Sequence, residues 1–259
     1  MRAPLSLLVC SIALAPGCLG GGGSLEGPTT LGDGGRTVWQ ISDGLCGGGL
    51  FGSDCDLSVH VATDAAPLVM VRGHGGTSLD HATLMGGTGV TITHFTTTSD
   101  DQGTLLEANV QSTSPGIADV IVLDASGHEV DRAHITFVTA TAIVCGDVTH
   151  ATHQFSFPGL TNGPIAIVEM PADGGASVTT TTLGCRVSDA SGSPLLSVDA
   201  IGWTLAPGAT GTVSITSDDA FGSTPAQGAT ARLVTSGTGS ATVVASLGTI
   251  SQSIPVSFR

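Results

Sequence analysis

The chain has 259 residues, 7 basic side chains against 21 acidic ones, a formal net charge of −14 and 41% hydrophobic residues. Every basic residue is an arginine, which excludes a Schiff-base or phosphate-gripping lysine, and so acidic a surface repels nucleic-acid backbones. Valine, threonine, serine and glycine abound, no stretch carries apolar residues at helical spacing for three turns, and the short alternating runs predict an all-β protein.

In chain order, Met1-Arg2 supplies a positive charge, an apolar core follows over 5–14, and the run breaks at Ala15-Pro16-Gly17-Cys18. This is the order of a secretory signal, too short to persist as a membrane-spanning helix. With cysteine directly after small residues, it resembles the leader of bacterial lipoproteins, which implies cleavage before Cys18 and lipidation of Cys18. Ala15 departs from the leucine usual in that family. Ordinary cleavage after Ala13-Leu14-Ala15 is the rival, weakened by Pro16 just beyond the cut. The expected parts are a signal peptide over 1–17, then a lipidated Cys18 and a glycine-rich tether over 18–36. The expected location is the cell envelope, anchored by lipid to a bacterial membrane, with the outer membrane favoured.

Beyond the tether, strands are expected at 37–41, 57–62, 68–72, 90–94, 105–110, 119–123 and 130–138. A second set is expected at 154–157, 165–170, 178–187, 198–205, 212–217, 229–234, 241–246 and 250–258. Asp124-Ala125-Ser126-Gly127 and Asp189-Ala190-Ser191-Gly192 read as tight turns. A weak repeat links the two sets. Thr98-Ser99-Asp100-Asp101 recurs as Thr216-Ser217-Asp218-Asp219, and Gly116-Ile117-Ala118-Asp119-Val120 recurs as Gly239-Ser240-Ala241-Thr242-Val243. Ile135-Thr136-Phe137 then answers to Val256-Ser257-Phe258 at the close of each copy. The order is kept at a nearly constant offset, which predicts tandem sandwiches over 37–141 and 142–259.

Cys10 leaves with the leader, so Cys46, Cys55, Cys145 and Cys185 remain for disulfides in an oxidising compartment. Of the three possible pairings we favour Cys46–Cys55, pinching the Gly47-Gly48-Gly49 loop, and Cys145–Cys185, tying the start of the second sandwich to one of its strands.

The stretch Val187-Ser188-Asp189-Ala190-Ser191-Gly192-Ser193-Pro194, a Gly-x-Ala-x-Val strand and a closing apolar strand together resemble bacterial Ig-like domains of the invasin type. The match covers about 176–259, and in the first half only 112–138. The resemblance implies two tandem Ig-like Greek-key β-sandwiches with a spacer or recognition role, and it transfers no catalytic residue. Trp203, eighteen residues after Cys185, is placed like the strand-C tryptophan of Ig domains. No cysteine lies near 241–246, so the antibody-type disulfide between sheets is not expected.

Candidate chemistry is sparse. Cys145, His150, His153 and Cys185 hold zinc-ligand atoms but lack a Cys-x-x-Cys knuckle, and the disulfide reading is preferred. Asp100, Asp101, Asp218, Asp219, Asp124, Glu129, Asp131 and Asp189 are read as solvated turn acids in preference to calcium ligands. Asp131 with Arg132, and Arg186 with Asp189, are expected as surface pairs. Ser78-Leu79-Asp80-His81 sets three triad residue types side by side, but neighbours on a strand point to opposite faces. The expected function is therefore a non-catalytic envelope lipoprotein that binds or spaces, with no cofactor and no metal. Its partners would be the membrane through the lipid and an envelope or surface protein or glycan. Recognition would use exposed strand edges or the loops at 44–56, 73–89 and 206–211. One alternative is a lipid-anchored hydrolase or metal enzyme using His74, His81 and His94. The other is purely structural envelope material.

Overall fold

The computed structural model describes residues 29–42, 57–149, 165–167, 178–197, 201–217 and 230–259. Among them every regular element is a strand. The first set comprises β1 (Thr30–Leu31), β2 (Thr37–Ser42), β3 (His60–Ala62), β4 (Leu68–Gly73), β5 (Thr83–Gly86), β6 (Val90–Asp100), β7 (Gly103–Ser112), β8 (Gly116–Leu123) and β9 (Glu129–Val138). The second comprises β10 (Ala142–Asp147), β11 (Ile165–Ile167), β12 (Val178–Ser188), β13 (Pro194–Leu195), β14 (Gly202–Leu205), β15 (Thr210–Ser217), β16 (Thr230–Leu247) and β17 (Ile250–Phe258).

The first set forms one sheet in the order β1-β2-β4-β7-β6 and another in the order β3-β9-β8-β5. β1–β2, β6–β7 and β8–β9 pair with their chain neighbours, the remaining connections cross between the layers, and β3 runs parallel to β9 while the other pairs are antiparallel. This is an Ig-like Greek-key sandwich. Alternation drives it. Along β9, Asp131, Ala133, Ile135 and Phe137 are buried, while Arg132, His134 and Thr136 face outward. Trp39, Val71 and Leu106 from one layer meet Val120, Ile135 and Phe137 from the other in a shared core. Full burial of such side chains stabilises by about 1.5–3 kcal/mol each.

The second set repeats the path. β10 and β15 flank β12 and the first half of β16, whereas β14 and β17 flank its second half, with β11 parallel to β17. In the first sandwich the same path is divided into β7 and β8, because Pro115 has no N–H for a ladder and Gly116 takes a positive φ of 135°. No proline interrupts 230–247, so β16 runs on from one layer into the other, turning at Gly237 with φ 75°. The expected strands at 229–234 and 241–246 are thus one element.

The repeat holds to the level of register. Gly116 lies opposite Phe137, Ala118 opposite Ile135 and Val120 opposite Ala133. Their counterparts are Gly239 with Phe258, Ala241 with Val256 and Val243 with Ile254. Thr98 and Thr216 likewise close corresponding strands, β6 and β15.

Other expectations shift. Thr30–Leu31 pairs with Val38 and Trp39, so the first sheet reaches back into the segment expected as tether. The glycine-rich 73–89 stretch, expected as a connection, contains β5, and Leu79 and Ala82 within it are buried. β10 was not anticipated, and the strand expected at 154–157 lies outside the described residues.

The two sandwiches meet through backbone. Ala62 N donates to Leu196 O at 2.7 Å and Leu196 N donates to His60 O at 3.0 Å, a parallel bridge that extends the β3-β9-β8-β5 sheet by one segment of the second sandwich. Val61 and Leu196 are fully buried there, and a single apolar cluster spans both sandwiches.

Candidate functional site

Among the described residues the densest polar constellation centres on Asp131, which projects inward from β9 with 3% of its surface exposed. Its carboxylate accepts from Gly34 N (2.7 Å), Arg36 N (2.8 Å), Thr37 N (2.9 Å), Thr37 Oγ1 (2.9 Å) and Arg132 N (2.9 Å). Trp39 Nε1 donates to the same Thr37 hydroxyl at 2.6 Å. Burial pushes this carboxyl up, but the Gly34 and Arg36 amides, the Thr37 hydroxyl and the Arg132 amide outweigh it, and the pKa falls below the ordinary 3.8. The turn before β2 is therefore clamped to β9. Gly32 allows that approach, since a Cβ there would collide with the Asp131 carboxylate. Gly32→Ala is expected to destabilise by about 1–3 kcal/mol, read as a lower denaturant midpoint.

The second sandwich has a counterpart at the matching register. Asp131 faces Val122 in the β8–β9 ladder and Gln252 faces Ala245 in the β16–β17 ladder, each one step beyond the equivalent pairs above. Gln252 Oε1 accepts from Cys145 N at 2.6 Å and its Nε2 donates to Cys145 O at 3.2 Å. A polar side chain on the last strand thus grips backbone near the start of each copy, the turn into β2 in the first and β10 in the second.

Around the Asp131 clamp lies an exposed charged rim. Arg132 donates to both Glu129 oxygens at 2.8 and 2.6 Å and to Asp119 at 3.4 Å. His134 sets Nδ1 2.9 Å from Asp119 and Nε2 3.0 Å from Asp33. Asp33, Gly34, Arg36, Glu129, Val130, Asp131 and Arg132 line an open depression of about 410 Å³. The His134–Asp119 contact has the form of half a catalytic triad, but a triad's second ring nitrogen faces a nucleophile's hydroxyl and this one faces a carboxylate. Two carboxylates around one ring make a polar strut between the turn at Asp33 and the strands β8 and β9.

The expected site residues are placed as follows. Cys145 and Cys185 face each other across β10 and β12 and form a disulfide, which removes both sulfurs from any zinc set. It joins neighbouring strands of one sheet. Cys18, Cys46, Cys55, His150 and His153 lie outside the described residues, as do Asp218 and Asp219. Asp124 accepts from Ser126 N and His128 N, and Asp189 from Ser191 N and Ser193 N, so both cap their own turns. Asp100 pairs with Arg72 and Asp80 accepts from Thr104 Oγ1. The expected Asp131–Arg132 pair is corrected: Arg132 turns outward to Glu129 and Asp119, while Asp131 turns inward to backbone amides. His74 and His81 sit in the 74–82 connection and His94 in the β6 bulge, all three exposed. Among the described residues no group of three or more His, Cys, Asp or Glu is arranged to hold a metal ion. Trp203 is on β14, the strand-C position, packed half-buried against the core, whereas the fully buried tryptophan is Trp39.

No family model and no curated protein matches the chain. Among solved structures, invasin, a bacterial integrin-binding protein, is similar at 17% identity and TM-score 0.31, over 78% of this chain and 38% of that one. The Yersinia pseudotuberculosis adhesin InvE is similar at 14% identity and TM-score 0.31, over 78% and 56%. An endo-fucoidan hydrolase of glycoside hydrolase family 107 is similar at 13% identity and TM-score 0.35, over 78% and 27%. The chain thus spans well under two thirds of the invasin structure it overlaps, and the Ig-like assignment rests on the strand order and register described above.

Proposed function

We propose that the chain is an envelope lipoprotein, anchored through Cys18, that displays two Ig-like sandwiches as a non-catalytic binding or spacing module. The sandwiches are assigned to 37–141 and 142–259, with the first sheet reaching back to Thr30. The single observation that supports this most is how the polar clusters are used. Asp131, Gln252, Asp100, Asp124 and Asp189 all hold backbone or a neighbouring side chain in place, which is the chemistry of a scaffold. The leader ending in Ala15-Pro16-Gly17-Cys18 supports the anchor. A partner would be a surface protein or glycan, met at an exposed edge such as β6 or on the outer face of β8 and β9, where Ile117 stands exposed.

Cys18→Ser tests the anchor directly. The wild-type protein is expected in the membrane fraction with radiolabelled palmitate incorporated, and the variant in the soluble fraction without label. A variant that stays membrane-bound with unchanged label would reject the reading.

A further inference from the structure

We propose that this chain carries tension between its ends, with a lock in each sandwich that ties its N-terminal part to its last strand. The inference rests on the anchoring reading above, which fixes the N-terminal end to a membrane and leaves load to arrive through the C-terminal side.

Three features converge. In both sandwiches a strand near the N-terminal side runs parallel to the last one, β3 beside β9 and β11 beside β17. Drawing the N-terminal end back and the C-terminal end forward slides parallel strands along each other. All the hydrogen bonds between them then strain together, where a peeled edge would break them one at a time. The second feature is the pair of side-chain locks. Asp131, on the strand drawn forward, grips the amides of Gly34, Arg36 and Thr37 in the described segment nearest the anchor, so tension that frees β1 from β2 meets this clamp next. Gln252 grips Cys145 in the same sense, and the Cys145–Cys185 disulfide adds a covalent tie from β10 to β12. Aspartate and glutamine differ in charge yet occupy equivalent places, which links the position to holding the N-terminal part of each sandwich. The third feature is the joint. The Leu196 segment is also parallel to β3 and bonded to it on both sides of Val61, so separating the sandwiches along the chain slides this contact as well.

The test is single-molecule force spectroscopy on the full mature chain, held by peptide handles at both ends. Asp131→Ala is compared with Leu106→Ala, a buried position on β7 off the force path, each at the denaturant concentration that brings it to the same thermodynamic stability. The proposal predicts that Asp131→Ala loses the first sandwich's high-force peak while Leu106→Ala keeps it. Reduction of Cys145–Cys185 is expected to lengthen the unfolded second sandwich by about 140 Å, the reach of the 40-residue span it closes. Equal peak forces in the two variants, or no high-force peak in the wild-type protein, would overturn it. Because handles replace the anchor, a chain that resists force but proves unlipidated would sink the anchoring reading alone.

Discussion

Asp131→Ala is expected to destabilise the first sandwich by about 3–5 kcal/mol, the scale of removing one partner from a buried, multiply bonded charge. Five donors lose their acceptor at once, three of them backbone amides held in a turn that cannot easily turn back to water. Gln252→Ala, which removes two neutral hydrogen bonds, is expected to cost about 1–2 kcal/mol. Urea melts of the two variants give the comparison, and equal small losses would deny Asp131 its place as the principal clamp.

The same site predicts an acid response. Its pKa is depressed in the folded chain, so its contribution is fully present above the ordinary 3.8 and is lost as pH falls through the lowered folded-state value. Asp131→Asn is expected to be less acid-sensitive than the wild-type protein. A residual slope should persist, because Asp100, held down by Arg72, and Asp189, held down by Ser191, act in the same direction.

Removing the Cys145–Cys185 disulfide is the second large effect. The cross-link spans 40 residues, and constraint of the unfolded chain alone is worth about 4 kcal/mol at that length. Cys145→Ala combined with Cys185→Ala is expected to lower the second sandwich's melting transition, and reductant should lower that transition equally in the wild-type protein and leave it unmoved in the double variant. Both sulfur residues are buried, at 0% and 2% exposure, so reduction should accelerate sharply near the transition, where the sandwich opens. A melting curve indifferent to both treatments would contradict the assignment.

These effects also show what is legible in such a chain. The last strands could be read because Ile135-Thr136-Phe137 and Val256-Ser257-Phe258 alternate cleanly between core and surface. The turns at Asp124 and Asp189 could be read because aspartate bonds its own backbone within four residues. β5 was hidden by the glycines around it: Gly86 and Gly87 read as a flexible link, yet Gly86 pairs with Val120 and has Val90 packed tightly against it. The gap expected between the strands at 229–234 and 241–246 is bridged, because the ladder to β12 holds as far as Ser236, the ladder to β17 begins at Gly239, and one strand runs through.

The Asp131 clamp was the least visible. Its partners lie 94 to 97 residues away, and an adjacent arginine suggested a surface ion pair instead. Once strand pairing was known, the inward side of β9 assigned it. Local patterns report which residues face the core, but a buried polar contact between distant segments is set by topology.

The most direct measurement is the intact mass of the mature protein, extracted from its own membranes under non-reducing conditions. The account predicts cleavage before Cys18, the added mass of acyl chains, and the hydrogen deficit of two disulfides, Cys145–Cys185 and the expected Cys46–Cys55. An unlipidated mass with free thiols would contradict both the anchor and the cross-links.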